Sequence, residues 1–254
     1  MMDNSAFSLA GQSVMVTGAN TGIGQGIALS IGRAGGRVIG VARSSMAETA
    51  RLFDEIGAEL VPVSADIGST QVAQAMFDAA WDQHGPIDGL VNNAGIIKRV
   101  DAVDVSEDDW DSVMDVNLKA MFFLCQSFGR KALGAGRAGK IVNIASMLSF
   151  QGGIRVASYT ASKSGVLGIT RLLANEWAAR GINVNSIAPG YIETNNTEAL
   201  RADPDRSAAI LGRIPAGRWG EPSDIGDAAV FLLSRASNYM HGAVIPVDGG
   251  WLAR

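Results

Sequence analysis

The feature that most constrains this chain is a short apolar run that ends in a glycine-punctuated turn and opens a helix. Ser13-Val-Met-Val-Thr17 has the composition of a buried strand, and it runs directly into Gly18-Ala-Asn20-Thr-Gly22-Ile23-Gly24. Ile27 and Ile31 then recur at helical spacing. Gly18 permits a tight turn, Gly22 lets the backbone approach a ligand, and Gly24 allows close helix packing. A helix starting there offers unpaired N–H groups and the positive end of its dipole to an anion. The spacing is G-x-x-x-G-x-G rather than the commoner G-x-G-x-x-G. A glycine turn of purely structural purpose has the same look, so the rest of the chain must decide.

The strand-then-helix rhythm continues. Segments 37–41, 59–63, 89–92, 141–145, 183–187 and 243–247 read as further strands, and helical patterns separate them. Ser69 and Ser106 are placed as helix caps, the second followed by three acids in the first turn. Such alternation predicts an α/β fold, a doubly wound parallel sheet of about seven strands covered on both faces. At 254 residues and 47% hydrophobic, the chain suits a single domain, 1–254, without linker or repeat. Segment 190–215 breaks the rhythm. It follows the carboxyl end of a strand and reads as a small helical substrate lid.

Bulk composition excludes several classes. A net charge of -4 without a basic cluster argues against nucleic acid. No apolar run is long enough to span a bilayer, and the start, Met1 to Ser5, lacks the pattern of a secretory signal. The expectation is therefore a cytoplasmic protein. The single cysteine, Cys125, lies in an apolar run and reads as core. His84 and His241 are far apart with no cysteine near either, so no metal site is expected.

Tyr159-Thr-Ala-Ser-Lys163 carries the chemistry. Four-residue spacing on a helix puts the phenol and the ammonium on one face. Ser146 lies thirteen residues upstream, where strand 141–145 ends. A free phenol has a pKa of about 10, and proton exchange near neutrality needs a drop of roughly three units, about 4 kcal/mol. One cation about 4 Å away, at an effective dielectric of about 20, supplies that much. Lys163 is thus expected to lower the pKa of Tyr159, and Ser146 to hold a substrate oxygen beside it. Tyr-x-x-x-Lys also occurs on ordinary amphipathic helices with no such role. Asn117, between Val116 and Leu118 within a long helix, is the other polar anomaly, because a buried amide there needs partners.

After strand 37–41 the chain reads Ala42-Arg43-Ser44-Ser45, with no acid to hold a ribose 2′-hydroxyl. A guanidinium flanked by hydroxyls suits a 2′-phosphate better, which leans the cofactor toward NADP(H) over NAD(H).

Taken together, Gly18-x-x-x-Gly22-x-Gly24, Asn92-Asn-Ala94-Gly95, Asn117, Ser146, Tyr159-x-x-x-Lys163 and Pro189-Gly190 resemble the short-chain dehydrogenase/reductase family over nearly the whole chain. The resemblance implies a Rossmann fold, a nicotinamide cofactor and a homotetramer. It implies Tyr159 as acid/base, Ser146 as the substrate-positioning hydroxyl, and Lys163 as the group that lowers the tyrosine pKa and holds the nicotinamide ribose. It further implies Asn117 in a water relay to Lys163, Asp66, Ile67 and Asn92 near the adenosine and its ribose, and Ile192 and Thr194 near the nicotinamide amide. Within the family, Ser146–Val156, Tyr191–Thr197, Arg213–Gly220 and Val247–Arg254 are similar to the 2-keto-3-deoxy-D-gluconate dehydrogenases, also called 2-deoxy-D-gluconate 3-dehydrogenases. That group implies NAD, against the hint from Arg43, and a small sugar-acid substrate. A sugar acid brings a carboxylate that wants an arginine or lysine. Arg155, Arg99 and Lys98 are the candidates, with Gln151, Tyr191, Asn195 and Asn196 for its hydroxyls. The alternatives are a 3-oxoacyl-carrier-protein reductase, another polyol dehydrogenase, or a cofactor-binding regulator without activity.

Overall fold

A computed structural model describes residues 4–254; the first residues of the amino-terminal reading, Met1 to Asp3, lie outside the described residues. Seven strands form one parallel sheet in the order β3-β2-β1-β4-β5-β6-β7. They are β1 (Ser13–Thr17), β2 (Arg37–Ala42), β3 (Leu60–Ser64), β4 (Gly89–Asn92), β5 (Gly139–Ile144), β6 (Ile182–Pro189) and β7 (Val244–Val247). Central strands β1, β4 and β6 are buried at every position, as strands covered on both faces must be. The edge strands β3 and β7 alternate in exposure and each carries a proline, Pro62 and Pro246. Proline cannot donate to a ladder, so it is tolerated only where one side has no neighbour.

The helices are α1 (Gly22–Arg33), α2 (Ala47–Ile56), α3 (Thr70–His84), α4 (Glu107–Met114), α5 (Met121–Gly134), α6 (Ala157–Trp177), α7 (Glu198–Ala202), α8 (Pro204–Leu211) and α9 (Pro222–Leu233). Ser69 and Ser106 cap α3 and α4 as the sequence predicts, each hydroxyl accepting a backbone N–H three residues on. One apolar layer, with Phe77, Leu124, Phe128 and Leu173, fills the face under α3, α5 and α6. A second, with Ile27, Ile31, Phe53, Ile225 and Leu232, fills the face under α1, α2 and α9. Met147, Ile210, Ile214, Trp219 and Trp251 form a third cluster, which seats segment 190–215 on the body.

Two details differ from the sequence reading. The long helix expected from Ser106 is broken between α4 and α5 by a π-helical turn, Asp115–Ala120, which carries Asn117. The lid is two short helices, α7 and α8, separated by Asp203; Pro204 has no N–H to continue α7 and is well placed at the first turn of α8.

Candidate active site

The sheet order reverses between β1 and β4, and there the chain departs in opposite directions. Ligands of open α/β sheets bind at such a switch point, outside the carboxyl ends of the strands. A cleft of about 750 Å³ opens there. The turn after β1, the loops after β4 and β5, the start of α6 and the lid all contribute to its walls.

The glycine turn forms the floor at one end. Gly18 and Gly22 have φ of +70° and +55°, conformations that a side chain disfavours. A Cβ on Gly24 would stand 2.0 Å from the Gly18 carbonyl oxygen and 2.4 Å from the Asn93 amide nitrogen, so any larger residue would push the turn apart. Asn20, Ile23, Ala94, Gly95, Pro189 and Gly190 line the same cleft, and Ile192 and Thr194 line it from the lid side. The methyl of Thr194 faces Gly22 closely enough that a Cβ there would sit 3.2 Å away. Beyond β2, Arg43 and Asp66 reach each other at 3.5 Å across the mouth, both largely exposed, with Ile67 behind them. A narrow glycine floor with the N-terminus of α1 above it and a cationic rim fits a dinucleotide phosphate.

Asn92 departs from the expectation. It does not line the cleft. Its amide donates to Asn143 Oδ1 at 2.9 Å and to the Cys125 sulfur at 3.2 Å inside the core. The next residue, Asn93, takes the cleft wall instead and holds the Thr17 carbonyl at 3.0 Å. Strand pleating decides this, because adjacent residues face opposite ways. Cys125 is buried as expected, and desolvation pushes its thiol up to about 12.

Ser146, Tyr159 and Lys163 meet on one wall. Ser146 leaves β5 and hydrogen-bonds Tyr159 while its Oγ also accepts the Leu148 N–H at 3.1 Å. The Lys163 ammonium lies 5.8 Å from the centre of the Tyr159 ring and donates to the Ile144 carbonyl at 2.6 Å. The expected lowering of the tyrosine pKa by Lys163 is not what this geometry produces. Desolvation of the phenol is the largest effect and raises its pKa, opposed by the Ser146 hydrogen bond and the positive charge of Arg99. Lys163 is itself buried, which pulls its pKa down to about 8.

Asn117 is buried but is not on the cleft wall. Its Oδ1 accepts the Ile96 N–H at 2.8 Å, and its Nδ2 donates to the Ile96 carbonyl at 2.9 Å and to Ser162 Oγ at 3.2 Å. The residue thus clamps the loop after β4 onto α6. A Cβ on Gly95 would meet both Asn117 Oδ1, at 3.2 Å, and Lys163 Nζ, at 3.7 Å, so the two flank Gly95 from either side.

The substrate candidates divide. Arg99, Arg155, Tyr191, Asn195 and Asn196 line the cleft, whereas Gln151 and Lys98 do not. Lys98 is turned away into an ion pair with Asp109 at 3.0 Å. Arg155 pairs with Asp101 at 3.1 Å and is the one non-glycine among the described residues with positive φ, +64°. Its carbonyl accepts the Val100 N–H at 2.9 Å, stitching the loops after β4 and β5 together. The sequence reading missed Arg206, which enters the cleft from α8. Nothing in the local pattern marks it, since it is half of an Asp-Arg pair in the first turn of a short helix.

A family model described as "Enoyl-(Acyl carrier protein) reductase" matches residues 18–252. The chain is 55% identical to a 2-dehydro-3-deoxy-D-gluconate 5-dehydrogenase of Escherichia coli (strain K12) over 98% of this chain and 99% of the relative. The chain belongs to the short-chain dehydrogenase/reductase family. As a member of that family it is an oxidoreductase, and its single-domain Rossmann-like sheet is the family's. A solved structure from Agrobacterium tumefaciens, assigned as a 2-deoxy-D-gluconate 3-dehydrogenase and holding NADP, superposes with a TM-score of 0.95 at 58% identity, covering 99% of this chain and 100% of that one. A gluconate 5-dehydrogenase from Burkholderia cenocepacia, in complex with NADP and tartrate, gives 0.93 at 35% identity over 98% of both chains. Among the described residues of this dehydrogenase/reductase, no helix is long and apolar enough to cross a membrane.

Proposed function

We propose that this short-chain dehydrogenase/reductase interconverts a secondary alcohol and a ketone of a six-carbon sugar acid, 2-dehydro-3-deoxy-D-gluconate at its C5, with NADP(H) preferred. The observation that carries the reaction class is the convergence of Ser146, Tyr159 and Lys163 on one wall of a cleft whose other end is a glycine floor. The full-length likeness to a 2-dehydro-3-deoxy-D-gluconate 5-dehydrogenase supports the substrate. The family model's description concerns a shared scaffold, and a scaffold does not choose its substrate.

Gly18, Gly22 and the first turn of α1 would hold the pyrophosphate, Arg43 and Ser44 the 2′-phosphate, and Lys163 the nicotinamide ribose. When bound, the nicotinamide gives or takes the hydride at the carbinol carbon. The chain supplies the proton. In reduction, Tyr159 Oη donates its proton to the substrate oxygen as charge grows there, and the Ser146 hydroxyl donates a hydrogen bond to the same oxygen. In oxidation, the phenolate takes the hydroxyl proton back. The positive charge of Arg99 favours that phenolate. Asn117 is a positioning residue. Its three hydrogen bonds leave only the second lone pair of Oδ1 for any water relay to Lys163. The enzyme is cytoplasmic and assembles as a homotetramer, a count that light scattering checks.

The test is a panel of sugar acids and polyols with NAD(H) and NADP(H), followed by nicotinamide absorbance. Turnover of 2-dehydro-3-deoxy-D-gluconate well above the neutral polyols is expected. Preference for an acyl thioester would overturn the substrate, and preference for NADH would overturn the role of Arg43.

A further inference from the structure

Six cations stand in or beside the cleft, and most already have work. Lys163 donates to the Ile144 carbonyl. Arg43 faces Asp66 at the nucleotide end. Arg155 is neutralised by Asp101. Lys98 is held away from the cleft by Asp109. Arg99 donates to the Asn196 carbonyl at 3.1 Å, and its charge is felt at Tyr159, which places it at the reacting end. Arg206 is different. Its guanidinium has neither an ion pair nor a hydrogen bond among the described residues, yet it lines the cleft from the lid. Asp203, three residues before it, forms no ion pair with it; its Oδ1 accepts the backbone N–H groups of Asp205 and Arg206 at 3.1 Å each.

Tyr191 lines the same cleft, and the charges of Arg213 and, less strongly, Arg206 reach it. Burial holds the Tyr191 phenol above its ordinary pKa, so it remains an O–H donor at neutral pH. Its ring is fixed edge-on against Trp219 and Trp251, with centroids at 5.4 Å and 4.8 Å. The cleft therefore presents both a guanidinium fork with no anion among the described residues and an immobilised phenol, both remote in sequence from Ser146 and Tyr159. That pair is the donor set a carboxylate needs: a planar fork for its two oxygens and a neutral O–H for a remaining lone pair.

We infer that Arg206 and Tyr191 form the carboxylate subsite of the substrate cleft, so that the lid recognises the acid end of the substrate. The inference rests on the sugar-acid reading above. It makes Arg206 a specificity-determining residue: holding the acid group at the lid leaves a distal carbinol, rather than the carbon next to the carboxylate, for Tyr159. It also makes the substrate anion a bridge between the lid and the body.

The experiment compares 2-dehydro-3-deoxy-D-gluconate with its methyl ester, which keeps the hydroxyls and removes the charge, in the wild type, Arg206→Ala, Arg206→Lys and Tyr191→Phe. The ratio of KM for the acid to KM for the ester should rise about ten- to a hundredfold in Arg206→Ala. It should be partly restored in Arg206→Lys, which keeps the charge without the fork, and rise less in Tyr191→Phe. A lid merely damaged by substitution would raise both KM values together and leave the ratio unchanged, and that result overturns the subsite. A wild type that turns over the acid no better than the ester, while Arg206→Ala behaves identically, also overturns it. A wild type inactive on both compounds with either cofactor instead overturns the substrate reading beneath it.

Discussion

Tyr159 is a phenol that the fold holds protonated. Desolvation outweighs the Ser146 hydrogen bond and the Arg99 charge, so its pKa stands above the usual value of 10. Reduction needs the protonated form and oxidation the phenolate. We therefore expect kcat/KM for oxidation to rise with pH from neutrality toward 10, while reduction stays level over that range and then falls. Tyr159→Phe should lower both directions by about 10²- to 10⁴-fold, the usual contribution of a positioned acid/base, with NADP(H) affinity retained; turnover near wild type would remove the phenol from the chemistry. Lys163 makes a separate, measurable statement. Its folded pKa of about 8 lies below the ordinary lysine value of 10.5. The unfolded chain thus binds more protons between those values, and stability rises with pH across the window from about 8 to 10.5. The gain attributable to this residue is at most roughly 3 kcal/mol. Urea unfolding of wild type and Lys163→Met at both ends of the window isolates it, since Lys140, also drawn down to about 8, remains in both proteins. The raised pKa of Tyr159 acts in the opposite sense, but only above pH 10.

At the scale of elements, the π-helical turn between α4 and α5 is what carries Asn117 inward. A regular helix would keep every backbone carbonyl in its own ladder; a π turn interrupts that register and often marks a functional position. Here the interruption lets one amide tie three elements together through Ile96 and Ser162. Asn117→Ala would leave the Ile96 N–H and carbonyl partly buried without those partners. A loss of about 2 kcal/mol in unfolding free energy is expected, together with weaker nicotinamide binding from a loosened Gly95–Ile96 segment. Calorimetric titration with NADP(H) beside urea unfolding checks both. Unchanged values of each would mean that the clamp is dispensable. The turn was not visible in the sequence because 106–134 has unbroken helical composition, and propensity does not register a single extra residue. The caps at Ser69 and Ser106, by contrast, were visible because a cap is a local hydrogen bond within three residues.

For the whole molecule, the reversal of strand order between β1 and β4 makes a cleft that couples cofactor binding to global stability. A ligand that binds only the folded state at a hundred times its Kd stabilises by about 2.7 kcal/mol. NADP(H) should therefore raise the melting temperature more than NAD(H) at equal concentration. Arg43→Asp should reverse that order, because an acid suits a ribose 2′-hydroxyl and repels a 2′-phosphate. A thermal-shift series with both cofactors decides it, and an unchanged order in the variant would take Arg43 out of cofactor choice.

The alternation of strands and helices, the glycine turn, and the shared helix face of Tyr159 and Lys163 were all determined by local sequence. They rest on covalent spacing, on the two- and 3.6-residue periods, and on backbone conformations that only glycine adopts freely. Tertiary structure decided the rest. Asn92 turned into the core while Asn93 took the cleft, because the pleat places neighbours on opposite faces. Lys98 pairs with Asp109, whereas Arg206 at the lid has no partner among the described residues. Desolvation, which depends on every atom packed around the phenol, set the sign of the Tyr159 shift against the expected pull of Lys163. Burial and pairing join residues distant in the chain, and no local pattern contains them.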